Sequence, residues 1–253
     1  MKMPVLFVGH GSPMNAVNDN PFKEEWIRLG SQLKPKAILC VSAHWYTKGT
    51  RINPKETPEQ IYDMYGFPPE LYQVRYPAPG SPVLAERVKE LLGDTVSFNE
   101  DWGIDHGTWS VLKWMFPHAD IPIVQLSIDG TQTGSFHLGL GHELAPLRDE
   151  GILIIGSGNI VHNLRRIDWN STGGYDWAYE FDGTIKAMIQ AGQFEQIADY
   201  KALGPSAVLA VPTPDHFYPL LYVLGAADHS DAVHCFNESC ELGSISMTGY
   251  LIG

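Results

Sequence analysis

Apolar and polar positions in this chain alternate over short distances, with no long periodic stretch. Residues 5–8, 37–42, 121–128, 152–155 and 208–211 are nearly continuous apolar runs, most of them rich in Val and Ile. Runs of that length predict strands buried on both faces of a sheet. A weaker pair at 233–236 and 244–251 predicts two further strands closing the C-terminus. Between them, amphipathic segments predict helices. One follows Asn20-Pro21 over 22–33, and one opens at Ser81-Pro82 and stops at Gly93. Others are predicted at 108–116, 136–148, 177–191 and 217–224. Strands alternating with helices predict an α/β protein: a single-domain sandwich over residues 1–253, with a central mostly parallel or mixed sheet flanked by helices. Residues 47–82 break the pattern, being rich in Pro, Tyr and Gly with little periodicity. Such a segment is either a binding loop walling a pocket for a flat ligand or an arm packing its tyrosines on the domain.

Four apolar runs lead into a histidine. VLFVGH ends at His10, ILCVSAH at His44, ILIIGSGNIVH at His162 and AVLAVPTPDH at His216. Ligands of open α/β sheets bind beyond the carboxyl ends of the strands. Imidazoles delivered to that rim would form a metal site, a proton-transfer site, or both. His10 and His44 lie at the ends of successive predicted strands beside small residues, a rigid setting suited to metal ligands. His162 sits in a glycine- and asparagine-bearing loop, as a ligand or as an acid/base. His216 is expected at a helix start after Thr213-Pro214, where the helix dipole disfavours a cation and keeps the ring in its neutral, ligating form. His106, in WGIDHGTW, is placed either as a general acid/base beside Asp105 or in a turn that Asp105 or Thr108 caps. The residues leave both readings open. His118, His137, His142, His229 and His234 lack such flanks and read as structural.

Composition narrows the partners. With 17 Lys plus Arg against 29 Asp plus Glu, the formal charge is -12 and no basic cluster appears, so neither nucleic acid nor an anionic membrane is an expected partner. No apolar run approaches the ~20 residues of a membrane span, and the N-terminal run reads as a core strand, not a signal peptide. Three cysteines without C-x-x-C spacing argue against a disulfide framework and for a reducing cytoplasm.

HGSPM (10–14), SAHW (42–45), DHGTW (105–109), GSGNIVHNLR (156–165) and TPDHF (213–217) occur in this order. Together they resemble the class III extradiol ring-cleavage dioxygenases, closest to the bacterial and plant 4,5-DOPA extradiol dioxygenase group, over essentially the whole chain. The resemblance implies a catechol substrate opened with O2 at one divalent metal, Zn2+ or Fe2+, that binds both catechol oxygens. For DOPA the product would be 4,5-seco-DOPA, which can cyclise to betalamic acid. Carried onto this sequence, His10 and His44 are metal ligands, His216 is the third, and His162 is a fourth ligand or the acid/base. His106 is the other proton-transfer histidine, with Asp105 orienting it. One departure stands out: oxygen-activating iron sites commonly combine two histidines with a carboxylate, whereas here the third position is His216, with Asp215 expected to point elsewhere. An all-histidine set suits zinc at least as well as iron. A zinc-dependent hydrolase is the main alternative, though no H-E-x-x-H signature is present. A tetrapyrrole metal chelatase, suggested only by the opening G-H-G-S, ranks lower, and chance burial of histidines in a binding module is the third.

Overall fold

The computed structural model describes residues 2–253. Val5–Gly9 (β1), Ile123–Asp129 (β5) and Ile152–Gly158 (β6) are buried at every position, which is why their sequences read as unbroken apolar runs. The remaining strands are Ala37–Thr47 (β2), Thr50–Ile52 (β3), Val96–Phe98 (β4), Val233–Phe236 (β7), Cys240–Glu241 (β8), Ile245–Ser246 (β9) and Gly249–Ile252 (β10). Eight form one sheet in the order β4-β3-β5-β2-β6-β1-β10-β7, and β8 and β9 pair separately as a small hairpin. The central β5, β2, β6 and β1 run parallel. Both edges carry antiparallel pairings, β3 against β5 on one side and β10 against β1 and β7 on the other. The α/β sandwich expected from the sequence is therefore present, with a mixed sheet.

Helices cover both faces: Phe22–Gln32 (α1), Pro82–Leu92 (α2), His106–Met115 (α3), Gly134–Leu144 (α4), Asp176–Gln190 (α5), Phe194–Ala198 (α6), Pro205–Ala210 (α7) and Tyr218–Ala226 (α8). Alternation along β1 sorts its side chains. Leu6 and Val8 join Trp26 of α1 and Trp109 of α3 on one face, while Val5 and Phe7 meet Leu138 of α4 and Val223 of α8 on the other. Each such side chain contributes roughly 1.5–3 kcal/mol of transfer free energy. The α4–α8 crossing is unusually close because it is made by glycines. A Cβ on Gly225 would lie 2.1 Å from the Leu138 carbonyl oxygen, and one on Gly141 would lie 2.4 Å from that of Tyr222. Among the described residues, no helix is long and apolar enough to cross a membrane.

The sequence reading fails at 208–211, which is not a strand: its first three residues belong to α7, with Pro205 at its first turn, and Val211 is the C-cap. A short apolar run does not distinguish strand from helix by periodicity, and Val208 is in fact 63% exposed. The expected strand at 244–251 divides instead into β9 and β10.

Candidate metal and proton-transfer site

Five histidines from five parts of the chain line one cavity of about 620 Å3 at the carboxyl ends of the parallel strands. His10 follows β1, its N–H donating to the Gly158 carbonyl at 3.1 Å. Gly11 then turns the chain at φ +61°, a conformation that disfavours any residue with a Cβ. His44 lies inside β2, where the register against β5 shifts between Val41 and Tyr46. His106 is the first residue of α3, and His162 bridges to Ile245 beyond β6. His216 is brought by a turn between α7 and α8, whose Pro214 carbonyl accepts from the N–H groups of Phe217 and Tyr218. Three of the imidazoles therefore come from strands or strand ends, and the fourth apolar run delivers His216 through a helix and a turn.

Hydrogen bonds set the tautomers. The single hydroxyl proton of Ser157 is committed to the Gly107 carbonyl at 2.6 Å, so Ser157 Oγ must accept from His10 Nδ1 at 3.0 Å. That leaves His10 Nε2 unprotonated. His44 Nδ1 lies 3.3 Å and His106 Nδ1 2.8 Å from the same oxygen, Asp63 Oδ2, while Asp63 Oδ1 accepts the His106 backbone N–H at 2.8 Å. His216 Nδ1 is bonded to Asp215 Oδ2. Three imidazoles, His10, His106 and His216, thus have Nδ1 hydrogen-bonded and Nε2 as their free nitrogen, and His44 turns Nδ1 toward Asp63 with Nε2 facing His10.

His10 Nε2 and His44 Nε2 stand 3.1 Å apart. With His10 Nε2 bare, this contact holds either a proton that His44 Nε2 donates or a cation that takes the place of that proton. Two imidazoles bound ~2.1 Å from one ion at about 90–110° would hold their nitrogens ~3.0–3.4 Å apart, which this pair satisfies. The same construction places the ring centroids of tetrahedral ligands ~5.2 Å apart. The observed values are 5.0 Å for His10–His44, 5.1 Å for His44–His216 and 5.3 Å for His10–His216. His44 and His106 are closer, at 3.9 Å, and His162 stacks on His216 at 3.4 Å with 6° between the rings. Ligand atoms lie within 4.8 Å of one another in two groups, His10/His44/His106 and His162/Asp215/His216. The histidine donors fit a divalent metal.

Burial, reinforced by the neighbouring imidazoles, pushes the pKa values of His10 and His44 well below the ordinary histidine value, favouring the neutral, ligating form. His162 is lowered by burial and by His216, against the opposing charge of Asp215. Burial works against ionisation of Asp215, but the hydrogen bond and charge of His216 outweigh it and hold the carboxyl well below its usual range.

The structure reassigns the carboxylates. Asp105 is fully buried and does not touch the His106 ring. It caps α3 through Thr108 and accepts from Ser42 Oγ at 2.8 Å, Gln125 Nε2 at 2.7 Å and Trp102 Nε1 at 3.1 Å. Burial and the nearby Asp63 raise its pKa. Asp63 orients His106 instead, and sequence reasoning missed it. Its contacts are tertiary, made by a loop that bridges Gln60 to Ile104 and is pinned by Trp109 Nε1 donating to the Ile61 carbonyl at 3.0 Å. The only available signal was a lone acid among the aromatics of YDMYGF. Asp215, expected to point elsewhere, holds His216. The 47–82 segment does both of the things considered for it: Asp63, Met64, Tyr65 and Phe67 line the cavity, while Tyr76 is buried with its hydroxyl on the Phe116 carbonyl at 3.0 Å. His137 is wholly buried against Tyr222, a structural role.

Residues 4–252 match the family model described as the catalytic LigB subunit of aromatic ring-opening dioxygenase. The chain is 48% identical over its whole length to the 4,5-DOPA dioxygenase extradiol of Escherichia coli K12, covering 95% of that protein. It is 40% identical to the 4,5-DOPA dioxygenase extradiol of Beta vulgaris, over 97% of this chain and 94% of the other. A crystal structure of an uncharacterized protein from Escherichia coli K12 superposes with a TM-score of 0.84 at 43% identity, covering all of both chains.

Proposed function

We propose that this chain, which belongs to the LigB family of aromatic ring-opening dioxygenases, is a metal-dependent enzyme that opens catechols such as DOPA by 4,5-cleavage, giving 4,5-seco-DOPA, with residues 1–253 as one catalytic domain. The observation that carries the reading is the convergence of free Nε2 atoms, with His10 and His44 set at a spacing that one ion would bridge. His10, His44 and His216 would hold the metal, with His162 as a fourth ligand or as an acid/base. Bound there, a divalent metal would chelate both catechol oxygens and bring O2 beside them.

The protein's own part is proton handling. His106, its Nδ1–H anchored on Asp63, keeps Nε2 free to take a catechol hydroxyl proton. His162, stacked on His216, would be the acid that returns a proton as the ring opens, unless it serves as the fourth ligand. Catechol and O2 supply every atom of the ring-opened acid, so no further reductant is required. The histidine set accepts Zn2+ and Fe2+ alike, and iron is the active ion in this reading because zinc undergoes no redox change. Cys40, Cys235 and Cys240 are all unpaired, in keeping with a cytoplasmic enzyme. The hydrolase and chelatase alternatives find no support in the relatives.

The test is oxygen uptake and product mass with DOPA, using apoprotein reloaded with Fe(II) or Zn(II). Stoichiometric O2 consumption and a yellow 4,5-cleavage product with iron alone are expected. Equal turnover with zinc would refute the iron assignment, and no ring opening with either ion would refute the reaction.

A further inference from the structure

The cavity of about 620 Å3 is far larger than a catechol ring requires, and its wall carries two charged side chains that neither metal binding nor proton transfer employs. Arg165 lies in the short turn Leu164–Arg166, where its N–H is held by Asn163 Oδ1 at 3.1 Å. Glu241 ends β8. The two segments are sewn together by main-chain bonds: Asn163 N–H to the Ser244 carbonyl at 3.1 Å and Asp168 N–H to the Leu242 carbonyl at 2.9 Å. Ser244 Oγ adds a bond to the Asn163 carbonyl at 2.9 Å. One wall, adjoining His162, therefore presents a cation and an anion.

Among the described residues neither charge meets an opposite one: Arg165 is exposed at the cavity mouth and Glu241 is half-buried. Among the described residues, the arginines that reach a carboxylate are Arg28, Arg87 and Arg148. Arg165 is the one cation among the described residues lining the cavity. Glu241 is half-buried with no side-chain hydrogen bond among the described residues, and burial alone raises its carboxyl. A partly desolvated carboxylate is costly until it meets a donor, and charge-assisted hydrogen bonds are the strongest available. Asp63, Asp215 and Glu241 make the rest of the cavity acidic, so with the metal taken up by the catechol oxygens an anionic tail has Arg165 as its one lysine or arginine partner among the described lining residues.

We propose that Arg165 and Glu241 form a subsite for the zwitterionic tail of an α-amino-acid catechol, Arg165 taking its carboxylate and Glu241 its ammonium. The subsite rests on the ring-opening reading for the placement of the catechol. It adds the basis of selection among catechols: an α-amino acid carries both charges on one carbon, whereas an aryl acid or an aryl amine satisfies only one of the two side chains.

Four probes separate the charges: DOPA, dopamine, 3-(3,4-dihydroxyphenyl)propionate and 4-methylcatechol. Binding to the Fe(II)-loaded protein is measured by calorimetry without oxygen, so that affinity is read apart from turnover. DOPA should bind tightest. Arg165→Ala should weaken DOPA and the propionate about tenfold, leaving dopamine and 4-methylcatechol unchanged, with Arg165→Lys recovering part of the loss. Glu241→Gln should weaken DOPA and dopamine by a similar factor and leave the other two unchanged. Variants that shift all four probes alike, or none of them, overturn the subsite, as does a wild-type protein that binds none. Oxygen is then admitted. Ring cleavage without the charge pattern overturns the subsite and leaves the reaction standing; the charge pattern without cleavage does the reverse.

Discussion

Asp63→Asn is the most searching single substitution, because one carboxylate serves two imidazoles. Its Oδ2 faces His106 Nδ1 at 2.8 Å and His44 Nδ1 at 3.3 Å, and its Oδ1 accepts the His106 N–H at 2.8 Å. An amide of the same shape retains one acceptor. With its oxygen on the backbone N–H, its NH2 points at two ring N–H groups, and His106 must flip its tautomer or turn away. A flipped ring carries its proton on Nε2 and no longer takes one from the substrate. The lost bond is charge-assisted and buried, worth about 1.5–3 kcal/mol, or roughly a 10- to 150-fold fall in kcat/KM. Through His44 the same change should weaken metal binding about 10- to 100-fold, the usual effect of disturbing a ligand's outer partner. Two assays read the two branches: competition with a chelator for metal affinity, and the pH profile of kcat at saturating metal. The acidic limb of the profile should move in Asp63→Asn, which mere loosening of the loop would not cause. Metal affinity and kcat/KM both within twofold of wild type, with an unmoved profile, would refute the reasoning.

Three other perturbations test neighbouring parts of the argument. A Cβ added at Gly107 would stand 2.8 Å from His44 Cδ2 and 2.9 Å from Ser42 Oγ, so Gly107→Ala should displace His44, cost about 1–3 kcal/mol of stability and weaken metal binding at least tenfold in equilibrium dialysis. Removing metal with a chelator should lower Tm by about 10 °C relative to protein at a thousandfold excess over Kd, since that excess is worth about 4 kcal/mol; calorimetric scans with and without chelator check it. Burial lowers the His137 pKa to about 4. The folded state therefore binds fewer protons than the unfolded state below the ordinary histidine value of ~6.5, and stability falls as pH drops from there, levelling off below the folded value. Urea unfolding of His137→Gln should lack up to about 3 kcal/mol of that acid loss, and parallel pH curves for the two proteins would contradict it.

What the sequence disclosed followed from how local each determinant is. Strands buried on both faces announce themselves as apolar runs, so β1, β2, β5 and β6, and with them the rim carrying His10, His44 and His162, were legible. His216 was found for the wrong structural reason, since the run leading to it is a helix in a partly exposed setting. Asp63 was hidden because its partners lie 19 and 43 positions away, across a loop with no period to read. Asp105 was misassigned by the opposite error, in which adjacency in sequence stood in for contact. Asp105 commits its carboxylate to the cap of α3 and to Ser42, Gln125 and Trp102, while the His106 ring takes Asp63. Arg165 and Glu241 carried no signal at all, because what distinguishes them is the lack of a partner.

The charge arrangement also bears on why histidine can stand where oxygen-activating sites commonly use a carboxylate. His10 and His44 are held neutral by burial, so the nitrogens that would meet the metal bring no charge of their own. The negative charge lies one imidazole further out, on Asp63 behind His44 and His106 and on Asp215 behind His216. Two carboxylates at that remove would help to balance a divalent cation held by the histidines. A carboxylate behind a ligating imidazole fixes its orientation and tautomer. In the proposed reaction a catechol would bring protons that must go somewhere, and His106, with Nδ1 on Asp63, is the ring that would accept one. Moving the acids outward therefore separates two demands that a directly bound carboxylate would combine: neutralising the ion, and keeping a base beside it ready for the substrate's proton.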